Sequence, residues 1–379
     1  MPKIISHTPK KHRELTYDRN NLRLTLTCQS WLESLVRRES EKMGLTDVKV
    51  QDRLISGTGT LITLYELLVR SRFANRVYID IATTTITDFD TLHDTLADIS
   101  WSEYVTGKER IVVEASSTRS QLSNTPTIQS VAQKAIFSTV FTPNYTTDTE
   151  VHILILIIDD IAHIMLDVTG DPLHKRGYRA EAWEAPIKEN LASALVAFTG
   201  WKYREPLLDP FCGSGTIAIE AAMLARNIAP GVNRRFRIES LPFHDASELT
   251  SVRNIARMNA YPTGEYTISA SDVDPEMVAL AKRNAERAGV SDDITFSIAD
   301  FSQLSEILPS WETAIVTNPP YGKRLHDYDL DDLYTDLERA IGAHHGGFIT
   351  SFERNPGAGW SNKKLLNGSE ECRFWYKKK

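Results

Sequence analysis

The sequence predicts an α/β protein built from two unlike halves. The C-terminal half is a parallel sheet finished by an antiparallel strand pair, and smaller α+β layers precede it. Three observations predict this. Leu207–Ile219, LLDPFCGSGTIAI, reads as a short buried strand ending at Asp209, a tight turn through Gly213 and Gly215, and the start of a helix. From there strand and helix alternate as far as Asn367-Gly368, a hairpin signal between two β-rich runs. Before residue 170, strand-like and helix-like pieces pair up without any signature of chemistry.

Taken in order, residues 1–20 read as a polar arm, and Leu22, Leu24 and Leu26 as a half-buried strand. Ser30 and Glu33 form an S-x-x-E capping box for a helix that Gly44 ends. Strands are expected at Val48–Val50, Thr60–Ile62, Val77–Ile81 and Ile111–Glu114, and helices at Tyr65–Phe73, Phe89–Ile99 and Ile128–Phe137. Val151–Ile158 and Ile161–Val168 form a hairpin turning at Asp159-Asp160. Thr169–Ala185, TGDPLHKRGYRAEAWEA, reads as a basic, aromatic-bearing linker. Ile187, Leu191, Leu195 and Phe198 stripe a helix closed by Gly200, and Asn227–Tyr266 is a long insertion. Asp274, Pro275 and Gly289 start and stop the next helix. Strands follow at Ile294–Ile298, Ala314–Thr317 and Gly347–Phe352, with a helix striped by Leu330, Leu333, Tyr334, Leu337 and Ile341.

The bulk properties narrow the class. No apolar run approaches the ~20 residues that span a bilayer, and the start carries no secretory pattern. Cys28, Cys212 and Cys372 are too scattered for a zinc site or disulfide framework, which fits a reducing cytoplasm. The net charge of −7 argues against indiscriminate nucleic-acid binding. The basic runs Lys10–Arg13, Lys175–Arg179, Arg234–Arg237 and Lys377–Lys379 read first as solvated surface or tail.

Gly213, Gly215 and Ala218 match G-x-G-x-x-G/A, so a dinucleotide site has to be weighed. A phosphate loop of the GxxxxGK[ST] type lacks its lysine. Three carboxylates at successive strand ends favour S-adenosylmethionine. Asp209 can attract its cationic amino-acid end and would repel a pyrophosphate. Asp272 can accept from the ribose hydroxyls. Asp300 can accept from the adenine amine, with Phe301 beside it for ring packing. Cys212, at a helix start, could have a lowered pKa, but methyl transfer from this donor needs no thiol nucleophile.

Asn318-Pro319-Pro320-Tyr321 follows the fourth strand of this half. Its prolines remove N–H donors and leave carbonyl acceptors. The Asn318 side-chain oxygen and the Pro319 carbonyl can hold the two hydrogens of an exocyclic amine, while Tyr321 stacks on the base. Adenine N6, guanine N2 and cytosine N4 all suit such a loop. A base from within a helix must be flipped out to reach it. Asp327, Asp329, Asp331 and Glu338 imitate a calcium loop without its glycine, and His344-His345 reads as a surface pair, so no metal site is expected.

DPFCGSGT, SDVDP and NPPYG, in that order, resemble the class I methyltransferases of exocyclic amines. TGDPLHKRGYR, EAPIKENLASALV and LLDPFCGSGTIAIEAAMLARNIAPG are similar in detail to the THUMP-domain RNA guanine-N2 methyltransferases. The resemblance is closest from Asp167 to Leu325. It implies a ferredoxin-like part over 21–64, a THUMP RNA-binding domain over 65–168, a linker over 169–185 and a Rossmann-like methyltransferase domain over 186–379. It also implies S-adenosylmethionine as cofactor, held by Asp209, Phe211, Gly213, Gly215, Asp272, Asp300 and Phe301, with Asn318, Pro319, Pro320 and Tyr321 as the catalytic loop. The partner it implies is RNA, with rRNA favoured and tRNA as the alternative. A DNA adenine-N6 methyltransferase, a non-catalytic RNA-binding assembly factor and an NAD enzyme are the competing readings.

Overall fold

The computed structural model describes residues 18–140, 149–179, 187–264, 266–304, 308, 312–320 and 330–378. The chain forms two compact units. One comprises the residues up to Leu24 with Tyr78–Gly170 and Arg237–Ala246; the other comprises Thr25–Val77, Asp171–Phe236 and Ser247–Lys379. Lys10–Arg13, Tyr321, Asp327 and Asp329 lie outside the described residues.

The chain opens with β1 (Leu22–Thr27), α1 (Glu33–Lys42), β2 (Thr46–Gln51), β3 (Leu54–Gly59) and α2 (Leu61–Arg70). Two local expectations fail here. Ser30 does not cap α1: Leu32 holds that position without a side-chain bond, and Glu33 instead accepts from the Arg53 N–H at 3.1 Å. Thr60–Ile62 is not a strand. The Thr60 hydroxyl accepts from the Thr63 N–H at 3.2 Å and starts α2, because a helix buries Leu61, Leu64, Tyr65 and Leu68 together. The strand of this region is β3, whose Gly57 and Gly59 hid it from a reading by β-propensity.

The first unit contains β4 (Arg76–Thr85) from Tyr78 onward, α3 (Phe89–Ala97), β5 (Arg110–Thr118), α4 (Thr125–Val140), β6 (Glu150–Ile158) and β7 (Ile161–Asp167). β7 pairs antiparallel with both β4 and β6, and β5 pairs parallel with β6. Asp159 and Asp160 both have positive φ (51° and 63°), which a two-residue hairpin turn of this twist demands. Arg237, from the run expected on the surface, donates from Nη1 to the buried Asp167 at 2.6 Å.

In the second unit, α5 (Glu189–Thr199), β8 (Leu207–Asp209), α6 (Thr216–Ala225), α7 (Ala246–Met258) from Ser247 onward, β9 (Ile268–Asp272), α8 (Pro275–Ala288), β10 (Ile294–Ile298), β11 (Ala314–Thr317), α9 (Leu330–Ala343), β12 (His345–Thr350), β13 (Ser361–Asn367) and β14 (Glu370–Lys377) follow. The sheet order is β10-β9-β8-β11-β12-β14-β13, with parallel pairings from β10 to β12 and antiparallel pairings of β14 with β12 and with β13. The expected parallel sheet with an antiparallel finish is therefore present. The insertion contains a helix, α7, that its polar composition concealed. His345 is not a surface residue: it is 4% exposed at the start of β12, with Nε2 3.2 Å from Glu205. At Gly346 (φ 132°) a Cβ would lie 1.8 Å from the Ile315 carbonyl, so only glycine lets β12 approach β11 here.

The run Lys175–Arg179 is also not simply solvated. The Arg176 and Glu220 side chains are 1% and 0% exposed, with Nε 3.6 Å from the carboxylate. Tyr178 donates to Glu220 Oε1 at 3.1 Å and Ser193 to Oε2. Arg176 Nη2 donates to the Arg72 carbonyl, and Arg72 Nη2 in turn donates to the carbonyls of Met223 and Ile228. Glu220 is thus the acceptor that ties the end of α2 and the 171–179 segment to α6. Glu220→Ala strands a buried guanidinium, a phenol and a hydroxyl together, and is expected to cost about 3–5 kcal/mol of stability. Urea unfolding of the variant checks this.

Candidate active site

Strand order reverses between β8 and β11, since β9 and β10 lie to one side of β8 and β12, β14 and β13 beyond β11. At such a switch point the loops leaving the two strands diverge and open a crevice at their carboxyl ends. Asp209 ends β8 and Asn318 follows β11, so the topology alone brings the two sequence motifs together. A cavity of about 500 Å³ occupies the crevice, lined by Asp209, Phe211, Gly213, Asp272, Asp300, Phe301, Asn318 and Pro320 among others.

Each side chain has a local reason to be there. Asp209, 1% exposed, accepts from Thr317 Oγ1 at 2.6 Å and from the Phe211 N–H at 3.3 Å. Asp272 bridges two turns, accepting from Gly213 N–H at 2.8 Å and from Asp274 N–H at 3.1 Å. Asp300 caps the short turn Phe301–Gln303 through the Ser302 N–H at 2.8 Å, so one carboxylate both shapes the loop and walls the cavity. The rings of Phe211 and Phe301 lie 5.1 Å apart at 35°. A Cβ on Gly213 would meet nothing, leaving its backbone open to a ligand. Gly215 (φ 82°) is different. It does not line the cavity, and a Cβ there would sit 2.9 Å from the Ala281 Cβ, so it serves the close packing of α6 on α8.

Pro319 is buried, and Pro320 lines the cavity. The Asn318 Oδ1 is buried without a hydrogen-bond partner among the described residues. A buried amide oxygen left unpaired costs free energy, which an incoming N–H recovers. The residues therefore fit S-adenosylmethionine: carboxylates for the cationic and hydroxyl groups, rings for the base, and beside them an amide oxygen without a partner among the described residues.

The electrostatics agree. Burial, aided by the Asp272 charge, pushes the Asp209 carboxyl up to about 7 against the bond from Thr317. Burial pushes the Cys212 thiol well up rather than down, so the helix start does not activate it. Asp331 and Glu338 are both held by Arg354, at 2.7 and 2.8 Å, and no group of side chains suited to a metal ion occurs among the described residues.

Reading by motif missed several wall residues. Val273 and Met277, around the start of α8, line the cavity, and Thr317, which does not line it, orients Asp209 from behind. Asp332 and Asp336, at helical i,i+4 spacing on α9, also line the cavity. Their spacing was visible, but which face of α9 met the crevice was not.

A family model described as an RMKL-like methyltransferase domain matches residues 176–352, and an RlmL ferredoxin-like domain model matches residues 23–78. YpsC of Bacillus subtilis (strain 168), which carries a provisional RNA methyltransferase name, is 34% identical over 84% of this chain and 84% of its own length. The chain belongs to the RMKL-like methyltransferases. The ribosomal RNA large subunit methyltransferase K/L of Psychromonas ingrahamii is 35% identical over 81% of this chain, which spans only 42% of that longer protein. The crystal structure of SMU.472, a provisionally named methyltransferase complexed with S-adenosylhomocysteine, superposes with a TM-score of 0.86 at 30% identity, covering 95% of this chain and 99% of that one.

In this methyltransferase the raised carboxyl has a measurable consequence. Its folded-state value lies above the unfolded one, so the empty protein gains from protonated Asp209 at low pH and loses that contribution as pH rises through about 7. A bound cation reverses the preference. S-adenosylmethionine binding is expected to tighten about tenfold between pH 6 and 8 with proton uptake by buffer, and Asp209→Asn to abolish the step. Calorimetry in buffers of different ionisation enthalpy measures both.

Proposed function

We propose that this methyltransferase transfers a methyl group from S-adenosylmethionine to the exocyclic N2 amine of a guanine in RNA, with large-subunit rRNA favoured over tRNA. The observation that carries the reading is the Asn318 Oδ1 at the cavity wall, buried without a partner among the described residues and one residue after the Thr317 that bonds Asp209. In this reading Asp209, Phe211, Gly213, Asp272, Asp300 and Phe301 hold the donor, and Gly215 supports them through helix packing. Bound S-adenosylmethionine supplies an electrophilic methyl group.

The remaining work falls to the chain. An aromatic amine is a weak nucleophile because its lone pair is spread into the ring. Asn318 Oδ1 and the Pro319 carbonyl accept its two hydrogens and draw the lone pair back onto nitrogen, in line with the methyl. Tyr321 stacks on the base. No strong base is required, since the proton becomes acidic as the N–C bond forms. Positioning and fixed dipoles supply most of the rate. The target base enters from a single-stranded or flipped-out position.

The RNA-binding role goes to the first half, as a ferredoxin-like part over 21–64 and a THUMP domain over 65–168. Cytoplasmic work fits both the scattered free cysteines and the absence, among the described residues, of any helix long and apolar enough to cross a membrane. The pure protein, tritiated S-adenosylmethionine and total RNA from a deletion strain are expected to yield N2-methylguanosine on nucleoside mass spectrometry. Label in the N6-methyladenine of duplex DNA would instead select the adenine enzyme, and no label with intact cofactor binding the assembly factor. Asn318→Ala is expected to lower kcat about 100-fold, the scale of losing a main oriented acceptor, while leaving donor binding intact.

A further inference from the structure

Resting on that reading of the catalytic loop, we propose that Tyr334 and Thr350 form a hydroxyl relay that positions the Asn318–Pro320 segment for transfer. The segment has an anchoring problem. Neither Pro319 nor Pro320 carries an N–H, so neither can donate to its surroundings. A hydrogen bond that anchors either proline has to come to a carbonyl. Tyr334 supplies one: its hydroxyl donates to the Pro320 carbonyl at 3.3 Å. The same hydroxyl lies 2.6 Å from Thr350 Oγ1, which accepts from the Phe352 N–H at 2.9 Å.

Only one direction of the relay satisfies every group. The Phe352 N–H donates to Thr350, the Thr350 hydroxyl to Tyr334, and the Tyr334 hydroxyl to Pro320. Each hydroxyl accepts once and donates once, which is the arrangement a buried phenol needs to offset its desolvation.

The ring itself does not require a tyrosine. Tyr334 is fully buried in an apolar cluster with Ile315, Leu337, Ile341, Phe348 and Trp375. It stacks on Phe352 at 5.4 Å and 15° and leans on Phe348 at 5.5 Å. Phenylalanine would fill that space. The hydroxyl is therefore there for its bonds, and their terminus is the catalytic loop. With the Pro320 carbonyl engaged by Tyr334, the acceptors left to the substrate amine are the Asn318 side chain and the Pro319 carbonyl. Tyr334 is a positioning residue that acts through Pro320.

The test compares wild type with Tyr334→Phe, Thr350→Val, Thr350→Ser and the Phe/Val double variant, using tritiated S-adenosylmethionine and rRNA from a deletion strain. Tyr334→Phe is expected to lower kcat about tenfold, the scale of one lost hydrogen bond in the transition state, with KM for S-adenosylmethionine unchanged. Thr350→Ser keeps the hydroxyl and the rate. Thr350→Val reproduces the loss, and the double variant is no slower than either single variant, because the bonds act in series. Unchanged kcat in Tyr334→Phe, or a loss that appears equally in donor binding, overturns the relay. If wild type itself labels neither RNA nor DNA, the proposed function fails, and crystals of Tyr334→Phe still decide the relay: a displaced Pro320 carbonyl supports it, and an unmoved one refutes it.

Discussion

The hydrogen bond from Thr317 to Asp209 joins the two halves of the site. It crosses from β11 to β8 at the place where the sheet order reverses, and it is fully buried. Thr317 immediately precedes Asn318, so the residue that orients Asp209 also leads directly into the loop proposed to receive the substrate. A displacement of β11 of a few tenths of an ångström would therefore be felt at both. Preorganisation of this kind depends on rigid strands rather than on flexible loops. The short β8 strand, three buried residues, is stiffened by parallel partners on either side.

A second layer supports this one. α6 begins at the glycine turn and carries Glu220 one turn further on, where Arg176, Tyr178 and Ser193 converge. The helix behind the donor pocket is thereby clamped from the outside, at a buried charge whose partners arrive from distant parts of the chain. Ion pairs of this sort contribute little net stability relative to apolar packing, but they penalise misplacement heavily.

How much of this was legible in the sequence depended on the kind of signal. The glycine turn, the Asp274-Pro275 helix start and the Asn367-Gly368 hairpin were readable because each is a backbone requirement met by few residue types. The cavity residues Asp209, Asp272, Asp300 and Asn318 were readable because polar side chains at successive strand ends have no reason to cluster there otherwise. Thr317, Tyr334 and Glu220 were not. Each sits at a position that periodicity assigns to the core, and nothing local shows that a buried hydroxyl or carboxylate has a distant partner. The basic runs misled for the converse reason: Arg176 and Arg237 belong to charged stretches, yet their partners Glu220 and Asp167 lie 44 and 70 residues away in sequence. Gly215 shows a further ambiguity. A glycine required by a helix neighbour and a glycine required by a ligand look the same in a motif.

The choice between a dinucleotide and a sulfonium donor rests on charge, not on glycine spacing. Asp209 and Asp272 face one crevice closely enough for the second to raise the first, and no basic side chain contributes to the shift at Asp209. A pyrophosphate brought to this turn would meet two carboxylates with no basic side chain among the described residues that line the crevice, and at a helix start whose favourable dipole is too small to compensate. A cationic ligand meets the opposite situation: the cost already paid in burying Asp209 becomes a preference for positive charge. The turn is thus shaped for a nucleotide cofactor, while its carboxylates favour one that carries a cation, and in the proposed reading the Asn318 oxygen, without a partner among the described residues, receives the amine.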